Sequence, residues 1–99
     1  MGSAFGTVRT VRDIDPDRVC RNIGRRIAEL REERSLTQEQ LSVLLASSSQ
    51  WISQIEAGRN MTVHSLVRVA EALRVPVQQL FDAPKAQPRV RRAGRPRRP

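Results

Sequence analysis

The single cysteine, Cys20, rules out an internal disulfide in this 99-residue chain. Stability therefore has to come from packing, and nothing argues for a secreted disulfide scaffold. The single histidine, His64, has no second histidine and no cysteine at ligand spacing, so no metal site is expected. No run of about 18 apolar residues is present to span a membrane, and the N-terminus lacks the charged-then-apolar pattern of an export signal. The expected compartment is the cytoplasm. A chain of this length allows one compact domain with a modest core, too little for a two-domain enzyme. Ser47, Ser48 and Ser49 have neither the flanking glycines nor the base that a hydrolase nucleophile needs, so they read as turn and cap residues. No catalytic residue, cofactor or small-molecule ligand is expected.

What the sequence does have is positive charge, unevenly placed. The formal net charge is +8. Lys85, Arg89, Arg91, Arg92, Arg95, Arg97 and Arg98 supply +7 of it without a single acid after residue 83. Residues 1–83 carry eleven arginines against ten carboxylates, a balance of +1. A mechanism that depends on bulk electrostatics therefore lives in the last sixteen residues, and one that depends on shape lives in the nearly neutral body.

The body reads as all-α. Residues 1–14 mix small and polar residues without a helical period, as a flexible arm does. Asp15-Pro16-Asp17 is a helix start: a side-chain acceptor, a proline at the first helical position, and negative charge at the positive end of the dipole. Val19, Ile23, Ile27 and Leu30 recur at helical spacing, giving one apolar stripe that ends near Arg34. Thr37-Gln38-Glu39-Gln40 has the form of a capping box, opening a short helix over residues 37–46 with Leu41, Leu44 and Leu45 as its buried side. A third helix is predicted over residues 49–57, with Ile52 and Ile55 inward and Gly58 as a left-handed stop. Thr62 caps a fourth, with Val63, Leu66, Val67, Val69, Ala70 and Leu73 as its apolar positions. Pro76 opens a short fifth ending at Phe81. Past Asp82, prolines and cations forbid a core, so residues 83–99 are expected to be disordered and residues 15–82 to form the domain.

Two short helices joined by a tight turn, residues 37–46 and 49–57, have the spacing that lets a second helix protrude into a DNA major groove. Three further stretches carry a likeness. Leu36-Thr37-Gln38-Glu39-Gln40-Leu41, Trp51-Ile52-Ser53-Gln54-Ile55-Glu56-Ala57-Gly58-Arg59, and Leu66-Val67-Arg68-Val69-Ala70-Glu71-Ala72-Leu73 with residues 76–81 resemble the Cro/XRE-type, lambda-repressor-like helix-turn-helix family. The resemblance covers residues 23–81 and implies a compact five-helix domain. It implies that Gln38 bonds a DNA phosphate, assisted by Ser48, Arg59 and Asn60, and that Ser49, Gln50, Ser53 and Gln54 reach base edges. The chemistry suits those roles, since Gln donates and accepts together, as the adenine edge requires, and Ser adapts to several bases. The bland alternative is a merely solvated helix face. The likeness further implies an ion pair between Arg31 and Glu56 that ties the first helix to the third. Ser42 and Ala46 stand where the family usually has alanine and glycine, and the loop after Gly58 is one residue shorter than in many relatives.

Arg92-Ala93-Gly94-Arg95-Pro96-Arg97-Arg98 resembles the glycine-arginine-proline core of AT-hook segments, which lie in narrow minor grooves. Arg92, Arg95, Arg97 and Arg98 are the expected tail contacts to DNA, with sequence-independent phosphate binding as the other reading. The expected partner is double-stranded DNA, bound by a homodimer on a pseudo-palindromic site, with Val77, Leu80 and Phe81 as a dimer face or as a lid on the monomer's core. The function implied is sequence-specific transcriptional regulation by a nucleoid-associated cytoplasmic protein. The alternatives are an architectural DNA-coating protein dominated by its tail, and an antitoxin-like protein-interaction module.

Overall fold

A computed structural model describes residues 14–85. Within them the chain forms four α-helices and a closing 3-10 turn, without a strand. The first helix, α1, runs Pro16–Glu33. Asp15 is extended, and its side chain accepts from the Asp17 N–H at 3.0 Å, while Pro16 sits where an N–H would have no helical partner. Burial deepens along the stripe from the exposed Val19 through Ile23 to the fully enclosed Ile27. The first turn of α1 thus lies at the rim of the core, and Val19 is not a core residue as its spacing suggested.

The second helix, α2, spans Gln38–Leu44. Its capping box is complete: Thr37 Oγ1 accepts from the Gln40 N–H at 3.0 Å, and Gln40 Oε1 accepts from the Thr37 N–H at 2.8 Å. Leu41, Ser42 and Leu45 face inward. Leu44 is 58 % exposed, against expectation, because at 3.6 residues per turn it stands roughly a quarter-turn off the face those three define. The buried Ser42 hydroxyl is satisfied within its own helix, donating to the Glu39 carbonyl at 2.6 Å.

The third helix, α3, covers Ser49–Glu56, and the fourth, α4, covers Val63–Leu73 with Thr62 as its cap. On α4 the positions Leu66, Val69, Ala70 and Leu73 are buried, whereas Val63 and Val67 are exposed. The inward face is the strict i, i+3, i+4, i+7 stripe; Val67 lies beside it and Val63 at the helix start. The expected fifth helix is instead a 3-10 turn, Val77–Phe81. Five residues behind a proline are too few to nucleate an α-helix, and the turn closes through the Gln79 N–H to the Pro76 carbonyl at 2.9 Å. Leu80 is fully buried there and seals the core, while Phe81 stays 58 % exposed.

Every element contributes to one core, in which Ile27, Leu41, Ile52, Ile55, Leu73 and Leu80 are wholly enclosed. Burying a side chain of this size is worth about 1.5–3 kcal/mol, so α3, eight residues long, is held mainly by its own underside. Arg26 fastens the closing turn to α1, its Nε donating to the Gln79 carbonyl at 3.1 Å beside an ion pair to Glu29 at 3.3 Å.

Candidate nucleic-acid interface

The turn between α2 and α3 is set by hydrogen bonds that end α2. The Ala46 N–H donates to the Val43 carbonyl at 3.1 Å, and the Ser47 N–H to the Ser42 carbonyl at 2.9 Å. Those bonds are a Schellman motif and place Ala46 in the left-handed region, φ 51°. The chain then straightens at Ser48, whose hydroxyl oxygen accepts from the Trp51 N–H at 3.1 Å and starts α3. Arg68 on α4 braces the same corner, with Nη2 donating to the Leu45 carbonyl at 2.9 Å.

Helix α3 has two faces. Ile52 and Ile55 are buried, and Trp51 packs partly against the core. Ser49, Gln50 and Ser53 are exposed, and Gln54 is half-buried with its Oε1 accepting from Arg59 Nη1. Four polar side chains, three exposed and one half-buried, therefore stand on the helix side away from its aliphatic underside. Asn60 is exposed in the loop that follows.

Glu56, at the end of α3, ties three segments together. Its Oε2 accepts from Arg31 Nε at 2.7 Å, and its Oε1 from Arg31 Nη2 at 3.1 Å. Gln38 Nε2 donates to the same Oε1 at 2.9 Å. Arg31 uses its remaining Nη1 on the Leu36 carbonyl at 2.8 Å. The pair is nearly buried, with side-chain exposures of 11 % and 8 %. Hydrogen bonding to Glu56 raises the Arg31 pKa above its ordinary value, against the opposing pull of burial and with help from the nearby Glu56 and Glu32 charges. Arg31 and Glu56 thus meet in a bidentate contact, and Gln38 is half-buried beside them with its amide already partly engaged.

Sequence reasoning missed Gly24. A Cβ built there falls 2.4 Å from the Ile55 carbonyl oxygen and 2.7 Å from that of Glu56, so α1 and the end of α3 approach so closely that only glycine fits. An isolated glycine inside a helical pattern was the available signal. Arg68 and Arg26 carried no comparable mark. Among the described residues no cluster of three metal-ligating side chains occurs and no helix is long and apolar enough to cross a membrane. The tail residues Arg92, Arg95, Arg97 and Arg98 lie outside the described residues.

A sequence profile of the helix-turn-helix domain matches residues 22–82, taking in all of α2, the turn, α3 and α4. The chain belongs to the helix-turn-helix family. This helix-turn-helix protein is 43 % identical over 54 residues to the uncharacterized HTH-type transcriptional regulator y4dJ of Sinorhizobium fredii, spanning 54 % of this chain and 70 % of that one. Its fold superposes on the restriction-modification controller protein C.AhdI from Aeromonas hydrophila with a TM-score of 0.65 and 29 % identity, over 69 % of this chain and 100 % of the controller. The hypothetical transcription factor NHTF from Neisseria shares the fold, with a TM-score of 0.64 at 20 % identity over 73 % and 84 % of the two chains. The lambda-repressor-like architecture expected from the sequence is therefore that of the helix-turn-helix domain, with a 3-10 turn in place of the fifth helix.

Proposed function

We propose that this helix-turn-helix transcriptional regulator binds double-stranded DNA as a homodimer on a pseudo-palindromic site and reads the major groove with α3. The supporting observation is the two-sidedness of α3: an aliphatic underside sunk in the core, and Ser49, Gln50, Ser53 and Gln54 on the side away from it. Gln38, Ser48, Arg59 and Asn60 flank that face and are assigned to phosphates. Ser48 Oγ is committed as an acceptor to its helix cap, which leaves its hydroxyl hydrogen to donate. Gln38 holds Glu56 through Nε2 and has one further N–H on that nitrogen for a phosphate oxygen. The relatives named as a transcriptional regulator and as a controller protein support a regulatory role. Exposed Phe81, at the end of the domain, is the apolar residue we assign to the dimer face, while Leu80 serves the core.

Residues 15–82 act as the reading domain in this scheme, and the tail adds phosphate contacts. A second reading is favoured by the charge distribution, in which the last sixteen residues hold +7 of the +8: the tail dominates and the protein coats DNA. Selection of bound duplexes from a random pool separates the two. Sequence-specific reading predicts two related half-sites about 34 Å apart, and loss of base preference in Gln50→Ala and Gln54→Ala. Salt-sensitive binding without enrichment supports coating. Absence of DNA binding points to a protein-interaction module that keeps the fold.

A further inference from the structure

Gln54 does not present a free carboxamide. Arg59 Nη1 donates to its Oε1, and the same two residues are joined through the main chain, where the Arg59 N–H donates to the Gln54 carbonyl at 3.1 Å. The second bond belongs to the Schellman turn that ends α3, completed by the Gly58 N–H to the Ile55 carbonyl at 3.0 Å, with Gly58 at φ 110°. The Arg59 side chain therefore springs from backbone pinned to Gln54, which shortens the list of places it can reach.

A guanidinium has five N–H donors and no acceptor, so only the amide oxygen of Gln54 can face it. That contact commits the oxygen and leaves Nε2, with its two donors, as the end available to a ligand. An unconstrained glutamine suits adenine, whose major-groove edge sets an acceptor, N7, beside a donor, the N6 amino group; guanine shows two acceptors, N7 and O6. With its oxygen held, Gln54 offers donors. A second lone pair remains on that oxygen, but it lies beside a cation whose other N–H groups are donors like the adenine amino group.

We propose that Arg59 is a specificity-determining residue: by holding the Gln54 oxygen, it makes the Gln54–Arg59 pair select guanine over adenine at the base that Gln54 meets. The inference rests on the reading of α3 as the base-contacting helix. It assigns Arg59 a role that phosphate contact alone does not include, and it replaces the adenine preference expected of Gln54 as an isolated residue. Gln50, exposed on the same helix, keeps the adenine match.

The test is selection of bound duplexes from a random pool by the full chain and by four variants, Gln50→Ala, Gln54→Ala, Arg59→Ala and Arg59→Lys. Gln54→Ala marks the base position concerned, as the one whose preference it relaxes. The unaltered chain should prefer guanine there. Arg59→Ala should move the guanine-to-adenine ratio towards adenine by about tenfold, the scale of one bidentate base contact, and Arg59→Lys, which still donates, should keep guanine. An Arg59 that served only a phosphate would, when removed, weaken all sequences alike and leave the ratio unchanged; that result overturns the inference while leaving the reading of α3 intact. Adenine preferred at that position by the unaltered chain also overturns it. If Gln54→Ala relaxes no position while Gln50→Ala does, Gln54 meets no base and the inference falls alone; if neither variant relaxes a position, the reading of α3 itself has failed.

Discussion

Removing one partner of the Arg31–Glu56 pair leaves the other charge nearly buried, and that asymmetry decides what the pair is worth. Glu56→Leu would strand a guanidinium whose side chain is 11 % exposed, and breaking such a pair costs about 3–5 kcal/mol. Replacing both with apolar residues, Arg31→Met with Glu56→Leu, should recover most of that loss, because no charge then remains to be desolvated. Urea unfolding of Arg31→Met, Glu56→Leu and the double variant measures the coupling, and a double variant no more stable than Glu56→Leu alone would contradict this account. The pH dependence follows from the raised Arg31 pKa. A cation whose folded pKa lies above its unfolded one contributes stability in full below the unfolded value and loses it only as pH rises through the folded one. For a guanidinium that window lies above about pH 12, so Arg31 deprotonation should remove no stability up to about pH 10. The resemblance made Arg31 and Glu56 legible as a pair. The bond from Gln38 to Glu56 was not legible, because sequence spacing does not say which of several acceptors within reach a side-chain amide will take.

At the scale of elements, helix starts were written plainly and helix ends were not. Asp15, Thr37 and Thr62 are side-chain caps that a reader of the sequence can place, and each makes its cap bond. The ends close in the same way four times, each with a Schellman pair of backbone bonds, but only Gly58 supplies the expected glycine. Ser35, Ala46 and Arg74 take left-handed φ of 57°, 51° and 62°. The backbone bonds and the packing that follows them impose this conformation against residue preference, at about 1 kcal/mol each. Ala46→Gly should therefore raise stability by up to about 1 kcal/mol, less whatever the unfolded chain gains in freedom. Gly58→Ala should lower it, since a Cβ there meets Arg21 Cγ at 2.8 Å besides being strained at φ 110°. Gly24→Ala is the sharper case, because the clash is with backbone carbonyls that cannot rotate away. Overpacking of this kind costs about 1–3 kcal/mol, more than the gain of up to about 1 kcal/mol in helix propensity. Thermal unfolding should show midpoints falling by about 4–8 °C per kcal/mol for a domain of this size. An unchanged or raised midpoint in Gly24→Ala would mean that α1 and α3 can separate without cost.

At the scale of the molecule, the charge is split between residues 1–83, at +1, and the last sixteen residues, at +7, and the proposed function gives each part its own share of DNA binding. The domain was legible because the apolar period, the caps and the turn residues all point to one arrangement. The face proposed to meet bases was legible as an outward one, with Ser49, Gln50 and Ser53 exposed and Gln54 half-buried, although the hold of Arg59 on Gln54 was not. Deleting residues 86–99 removes Arg89, Arg91, Arg92, Arg95, Arg97 and Arg98. If all of them meet phosphates, the slope of log affinity against log salt should flatten by about 5, at about 0.9 per contact; an unchanged slope would show the tail idle. Shape-specific recognition should survive that deletion if, as proposed, α3 carries it. The most direct measurement is the ratio of affinity for a selected site to affinity for random duplex, at physiological salt, in the full chain and in the variant carrying both Gln50→Ala and Gln54→Ala. A ratio of at least about a thousandfold, falling by about tenfold or more in the variant while random-duplex affinity holds, is the predicted result. A ratio near one in the full chain, or one indifferent to the two glutamines, would contradict it.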